Sequence, residues 1–514
     1  MAVAADPAGL RRPTAELTSR SLPTFAWAPV VSAVLVVGAV LTLLSDEYGY
    51  HRDELYFRML EPAWGYIDQP PLTPLLARAS TFLFGESAAA LRVPATLSLL
   101  AAIVVVALLA RELGGGRGAQ TLAAWGFGTA ASPLIFGHTL LTASLDMVVW
   151  PTVVLLVLRA LLRDEPRWWI VAGVVTGLSL YNKLLIVVLL GAIVVGLLVV
   201  GPRRSLATRW PWLAAAVAVL VGLPNLVYQA TNGWPQLAMG SALSENNAAD
   251  VRVDMWLFQL LTLGPPLAVI WIIGFVALWR RPAWRSLRFL VVAYPVVVLF
   301  VFVGGSQIYY AFGLVTVLFA AGCVVIGDWL AAPPGGGPRL RRRIAVIALV
   351  VVNAVPSAFI GLPLVPVAEL GTTPIGDINQ TARDAVGWET YVRQVADVYD
   401  ALPAEDRASA VVVAQNYGEA GAIAVLGPEH GLPWPYSGHN ELHRSGPPPE
   451  DARVAVVVGG TEAGWSRFFA SCTTEGVLDN GVGLDNEEQG QAVLVCRDPA
   501  GGWDAVWPEL AHLD

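Results

Sequence analysis

Hydrophobic positions along this chain come in long blocks, not in alternation, and the polar segments between the blocks are short and rich in arginine. A block of this kind is apolar on every face of a helix, and a bilayer core takes up about 20 such residues per crossing. The blocks lie near 25–44, 89–109, 120–136, 147–162, 168–181, 184–200, 210–227, 255–278, 287–303, 309–330 and 344–365. They predict about eleven transmembrane helices, and so an all-α polytopic membrane protein. Block 168–181 is short for a crossing, which predicts a broken or re-entrant helix pair there. The first block follows Arg11, Arg12 and Arg20 and has no small-residue cleavage site after it, so it is expected to stay as a helix.

After residue 365 the pattern changes. A helical period runs over 381–402, strand-like runs follow at 408–414, 454–458 and 492–496, and shorter helices are expected near 462–471 and 503–512. These predict a C-terminal α/β domain over 369–514, behind an N-terminal tail (1–24) and a transmembrane part (25–368). The first outer loop of that part is expected at 45–88.

Composition adds the compartments. Only 14% of the 514 residues are charged and 55% are hydrophobic, against about 25% charged in an average soluble chain, which excludes an ordinary cytosolic protein. The net charge of −8 hides a split: 369–514 holds 23 acidic and 7 basic residues, the rest 17 and 25. The soluble segment is acidic and offers no basic groove, so a nucleic-acid partner is excluded. With the N-terminus inside, nineteen arginines fall on inner segments, while Arg52, Arg58, Arg78, Arg92, Lys183 and Arg252 fall on outer ones. That bias predicts a cytoplasmic N-terminus and an extracytoplasmic C-terminal domain in the cytoplasmic (inner) membrane. Cys323 sits in an apolar block, whereas Cys472 and Cys496 both fall in the external domain, where a disulfide could form; the sequence leaves their pairing open. The turn at 333–338 and Gly114-Gly115-Gly116 carry no phosphate-loop pattern.

The first outer loop carries the densest candidate chemistry. Asp46-Glu47 and Asp53-Glu54 set four carboxylates at the mouth of the bundle, beside Tyr56, Trp64, Tyr66 and the rigid Pro70-Pro71. Such carboxylates could activate a hydroxyl as general base or hold a divalent cation, and a solvated loop would look the same. Asp146, at a helix end, fits a polar cavity or plain solvation. Lys183 is the only lysine beside 31 arginines. A compact ammonium between two apolar blocks suits an anionic headgroup, and a snorkelling side chain is the alternative. His439 and His443 stand four apart, but Gly438, Gly446 and Pro447 argue against a helix, and a polar surface loop is the better reading. His51, beside the acidic pairs, is expected to be solvated.

HRDELYF at 51–57 and GYIDQPPLTPLLAR at 65–78 resemble the glycosyltransferase family 39-like membrane proteins, relatives of protein O-mannosyltransferases and of the lipid A aminoarabinose transferase. The likeness continues through TASLDMVVW (142–150), GLSLYNK (177–183), LPNLVYQATNGWP (223–235), IYYAFGL (308–314), QNYGEAGAI (415–423), SGHN (437–440) and NEEQG (486–490). The resemblance implies a C-type glycosyltransferase fold and inverting transfer of a sugar from a polyprenyl-phosphate donor to a glycan, lipid or protein acceptor of the envelope. It implies that Asp53, Glu54 and Asp146 are catalytic. Lys183, Tyr56, Tyr66, Asp68, Gln69, Arg52, Tyr309 and Tyr310 would bind the donor, with Arg92 as a further cation. Two departures stand out: Gln69 replaces the lysine that aminoarabinose transferases carry before the paired prolines, and Gln307 stands where many relatives have lysine before the paired tyrosines. Apart from the resemblance, a transporter or flippase for an anionic or lipid-linked solute, or an envelope scaffold, would share the many helices. Acids grouped in an outer loop and not at mid-membrane speak against transport.

Overall fold

A computed structural model describes residues 22–332 and 339–514; the arginines at 11, 12 and 20 and the turn at 333–338 lie outside them. Sixteen helices precede the C-terminal unit: α1 (Trp27–Leu43), α2 (Arg52–Met59), α3 (Leu72–Phe84), α4 (Ala88–Glu112), α5 (Arg117–Gly128), α6 (Ala131–His138), α7 (Thr142–Arg163), α8 (Arg167–Ser179), α9 (Ile186–Val199), α10 (Arg209–Val221), α11 (Leu223–Thr231), α12 (Pro235–Leu261), α13 (Pro265–Arg280), α14 (Phe289–Gly304), α15 (Phe312–Ala331) and α16 (Arg339–Gly361). The core of the bundle is built around α4 and α15, which bury Leu99, Ile103, Val106, Leu318 and Phe319. Small residues let helices close up where no hydrophobic force separates protein from lipid. Gly274 and Gly322 do this between α13 and α15: a Cβ on either would collide with the backbone of the other helix.

Among the described residues, α4, α7, α15 and α16 are long and apolar enough to cross a membrane alone, and counting two bent pairs as single spans gives six. The shorter apolar helices α1, α3, α9 and α14 add to the bundle without meeting that length, so eleven crossings are not established. The block expected as one span at 255–278 is corrected: α12 and α13 meet at 90°. Gly264 turns the chain with φ +93° and Pro265-Pro266 starts the new helix, where missing N–H groups cost nothing. A second bend of 64°, between α10 and α11, falls at Gly222 with Pro224 in the first turn. The expected break at 168–181 is a short helix of 13 residues, α8, and the apolar block at 120–136 is the pair α5 and α6.

The stretch read as a polar first loop contains α2 and α3. The C-terminal unit holds a five-stranded sheet of β1 (Ala410–Ala414), β2 (Tyr436–Ser437), β3 (Val454–Val458), β4 (Phe469–Val477) and β5 (Ala492–Pro499), in the order β2-β1-β3-β5-β4. β1 runs parallel to β2 and β3, and β5 antiparallel to β3 and β4. Both β1 and β3 are buried throughout, as their valine runs require. Cys472 and Cys496 are directly opposite on β4 and β5 and form a disulfide. Three local expectations are corrected. The helix near 462–471 ends at Trp465 and the chain becomes the edge strand β4; the helical stretch 381–402 is cut by Gly387 at φ +104°; and Trp503–Val506 passes into a 3-10 turn at Pro508.

One helix, Tyr417–Leu426, decides where this unit sits. Its Gly418 and Gly421 lie against α2, where a Cβ on Gly421 would come within 2.8 Å of the Leu55 backbone. Leu55, Tyr56, Phe57, Leu60 and Tyr66 thereby share one apolar core with Trp388, Val392, Ala420 and Ile423. The first loop is thus built into the C-terminal unit.

Candidate active site

The site starts from a helix cap. His51 is the N-cap of α2 and its ring nitrogen accepts from the Asp53 N–H at 3.1 Å, while the Glu54 carboxylate accepts from the His51 N–H at 2.9 Å. This reciprocal pairing satisfies donors a helix start otherwise leaves open. Glu54 is fully buried and also accepts from the Leu140 N–H at 2.9 Å and from Arg92 Nε and Nη2 at 3.0 and 2.9 Å. Arg92, equally buried, spends its remaining donors on the carbonyls of Ser45, Glu47 and Gly49. Burial by itself would raise the pKa of Glu54; the Arg92 charge and the backbone N–H groups outweigh it and hold the carboxyl below its usual range. Both oxygens of Glu54, which the resemblance implied to be catalytic, thus face four donors within the protein. Arg92 is likewise tied to the protein.

The cap aims Asp53, which is half-buried in the first turn. Its Oδ1 accepts from the Tyr417 hydroxyl at 2.9 Å. Arg52, which the resemblance implied to bind the donor, lies over the Tyr417 ring at 4.7 Å and pairs with Glu487, so it joins α2 to the C-terminal unit. Tyr56 also packs on Tyr417, ring centroids 4.9 Å apart, and its hydroxyl donates to Asp68 Oδ1 at 3.0 Å and accepts from the Glu441 N–H at 3.3 Å. Glu441 in turn accepts from the Ile67 N–H at 2.8 Å. Tyr66 and Gln69 are buried and bonded through their backbones, with the Tyr66 hydroxyl given to the Glu61 carbonyl; both shape the loop and present little to a ligand. Asp46 and Glu47 are exposed and apart from this cluster.

Burial, with Glu441 and Asp53 close by, pushes Asp68 up to about 7. Glu488, buried behind Arg52, is pushed up to about 7 mainly by the same loss of water. The sign follows by linkage. The folded chain holds these protons where the unfolded chain has released them, so the stabilisation is complete below the unfolded value near 4 and is lost as pH rises through about 7. Purified protein is therefore expected to melt lower at pH 8 than at pH 5, and Asp68→Asn to shrink that difference, measured as apparent melting midpoints in one detergent.

A second cluster surrounds Lys183. Asn182 joins three segments: it accepts from Thr73 Oγ1 at 2.7 Å and donates to the Thr142 carbonyl at 2.9 Å and to Asp146 Oδ1 at 3.1 Å. Lys183 Nζ reaches the Tyr309 hydroxyl at 3.4 Å and lies 5.0 Å from the Tyr310 ring centroid. Asp146, Trp150, Tyr309, Tyr310 and Phe136 line a narrow crevice. Among the described residues no ion pair or hydrogen bond joins Lys183 to Asp53. The clusters are connected through the chain, since the Leu72 N–H, just past Pro70-Pro71, bonds the Tyr181 carbonyl at 2.8 Å. Also among the described residues, no three His, Cys, Asp or Glu side chains converge as a metal site.

Sequence reasoning missed Tyr417, Asn182 and the helix that carries Tyr417. The signal for that helix was there: Asn416 and Glu419 make a capping box ahead of an apolar run. His439 is corrected from surface loop to buried support. It accepts from the Tyr417 N–H at 3.2 Å, stacks on His512, and burial pushes it down to about 3. His51, expected to be solvated, is a buried helix cap.

An apolar bundle with a capped acidic helix packed on an α/β unit, and a lone lysine beside a neighbouring crevice, is an arrangement with parallels among known proteins. Residues 68–228 match the family described as dolichyl-phosphate-mannose-protein mannosyltransferase, a stretch that includes Asp68, Asp146 and Lys183. No curated protein matches the chain significantly. Among solved structures, ArnT from Cupriavidus metallidurans bound to undecaprenyl phosphate superposes with a TM-score of 0.57 at 14% identity, over 90% of this chain and 97% of its own. Its apo form gives 0.54 at 15% identity over the same shares. The oligosaccharyltransferase AglB from Archaeoglobus fulgidus, at 0.46 and 13% identity over 80% and 64%, is too distant to weigh. The chain thus shares the fold of ArnT over most of its length, and a stretch of it is similar to the mannosyltransferase family, which agrees with the resemblance of its motifs.

Proposed function

We propose that this protein transfers a hexose or pentose from a polyprenyl-phosphate donor to an acceptor hydroxyl of the cell envelope, on the outer face of the cytoplasmic membrane, with inversion at the anomeric carbon. The observation that carries this is the state of Lys183. The buried or half-buried arginines Arg52, Arg92, Arg159 and Arg163 each have a carboxylate within 4.0 Å, and Lys183 has none among the described residues. A buried cation beside a crevice, with Asp146 near it but no acid in direct ion-pair contact, favours an incoming anion. The undecaprenyl phosphate held by ArnT, a protein of the same fold, makes a lipid phosphate the natural candidate.

In the proposed reaction the acceptor oxygen attacks the anomeric carbon while Asp53 takes its proton. The bond from that carbon to the phosphate oxygen breaks, and the polyprenyl phosphate leaves with the electron pair, its charge met by Lys183. Asp146 and Asn182 hold the crevice polar, and Tyr309 and Tyr310 flank the ammonium. Tyr56 and Asp68 line the acceptor side. The basic bias of the segments expected inside supports a cytoplasmic N-terminus and an external C-terminal unit. A divalent cation on the carboxylates is not needed for this scheme, and the hydroxyls of Tyr417 and Tyr56 already occupy an oxygen of Asp53 and of Asp68.

The test is transfer of label from a pool of radiolabelled polyprenyl-phosphate sugars to native envelope acceptors by purified protein. Wild type is expected to label one acceptor class from one sugar. Lys183→Met is expected to lower kcat/KM by about 100-fold, the loss typical of one charge-assisted contact. Absence of transfer across the whole pool would overturn the reading.

A further inference from the structure

The carboxylate proposed as base is held by a residue that lies 364 positions away, on a different structural unit. We propose that Tyr417 is a positioning residue for Asp53, lent by the C-terminal unit, so that the reacting centre is complete only when that unit is docked on α2. This rests on the reading of Asp53 as the general base.

Three observations support it independently of that reading. The Tyr417 hydroxyl donates to Asp53 Oδ1 at 2.9 Å, and the ring is packed by Arg52 at 4.7 Å and by Tyr56 at 4.9 Å. Its backbone N–H is held by His439. The docking surface is made for close approach, because Gly418 and Gly421 leave room only for hydrogen where α2 passes. A phenol packed by a cation and by further rings has little freedom to turn, so its hydroxyl selects one carboxylate orientation, leaving the other oxygen for a substrate proton.

The consequence is specific. A donated hydrogen bond favours the ionised carboxylate, so removing it shifts the protonation of Asp53 upward. The other charged groups facing this place are Arg52 on α2, Asp68 on the loop, and Glu441, Asp384, Glu487 and Glu488 from the C-terminal unit; Asp68 and Glu488 change charge near pH 7, and the same groups are present in wild type and variant. Tyr417→Phe keeps the ring and its stacking and deletes only the hydroxyl.

The experiment reads two signals on full-length protein. The first is carbodiimide labelling of Asp53, which needs the protonated acid, followed by mass spectrometry from pH 4 to 8. Tyr417→Phe is expected to move its midpoint up by about one pH unit, the order of one hydrogen bond to a charged group. The second is sugar transfer, whose acid limb is expected to move by the same amount, with about tenfold lower kcat at neutral pH and unchanged KM for donor. An unmoved labelling midpoint would overturn the positioning role whether or not transfer is found. A moved midpoint without transfer by wild type would uphold it and remove the base assignment instead. Gly421→Val, which pushes the unit off α2, is expected to give the same upward labelling shift with Tyr417 intact; no shift in a folded Gly421→Val protein would overturn the dependence on docking.

Discussion

Asp53→Asn is expected to lower sugar transfer by about 1,000-fold or more, within the range general-base catalysis commonly supplies. The substitution is nearly isosteric, and an amide oxygen still accepts from the Tyr417 hydroxyl, so α2 and its contact with the C-terminal unit have no reason to move. What is lost is the ability to take a proton. Binding of the donor, proposed to rest on Lys183, should be unchanged, and the effect should fall on kcat alone. The measurement is steady-state transfer together with direct binding of the polyprenyl-phosphate sugar. A variant that kept a tenth of wild-type turnover would remove Asp53 from the chemistry. A variant that lost donor binding as well would move Asp53 to the donor side of the site.

The motif that names this residue was legible in the chain, and the division of labour inside it was not. HRDELYF shows two adjacent acids, and adjacency on a helix places their side chains about 100° apart. One of the two must face the protein if the other faces the cavity. Which one is settled by Arg92, 38 residues on, and by the Leu140 N–H, neither of which is marked by local spacing. The same limit explains Tyr417: a contact over 364 positions leaves no periodic trace, and even the helix that carries it reads as a short apolar run after a strand. The membrane character and the strands β1 and β3 depend on runs of apolar residues, and these came through clearly. The bends between α10 and α11 and between α12 and α13 follow from Gly and Pro within otherwise apolar stretches, a weaker signal that hydropathy alone averages away. Lys183 stood out for a compositional reason, as one lysine against 31 arginines, and its lack of a direct ion pair among the described residues now gives that oddity a physical meaning.

Glu54→Gln should do the opposite of Asp53→Asn, destabilising the protein before it affects any chemical step. The Glu54 carboxylate faces only donors: two backbone N–H groups and two guanidinium nitrogens. An amide in its place must turn an NH2 group toward some of them in either orientation, and the fully buried Arg92 loses its counter-charge. Breaking a buried ion pair from one side typically costs about 3–5 kcal/mol, a large share of the stability of most domains. Arg92→Met added to Glu54→Gln should not restore the loss, because Arg92 also ties together the carbonyls of Ser45, Glu47 and Gly49, which would be left without donors. The measurement is the apparent melting midpoint in detergent for Glu54→Gln, Asp53→Asn and the double variant. The ordering expected is Asp53→Asn close to wild type, and both Glu54 variants well below it. If Glu54→Gln melted with the wild type and yet failed to transfer sugar, its carboxylate would belong to the reaction and not to the frame. The cap would then have to be held by something other than the pair seen between Glu54 and Arg92.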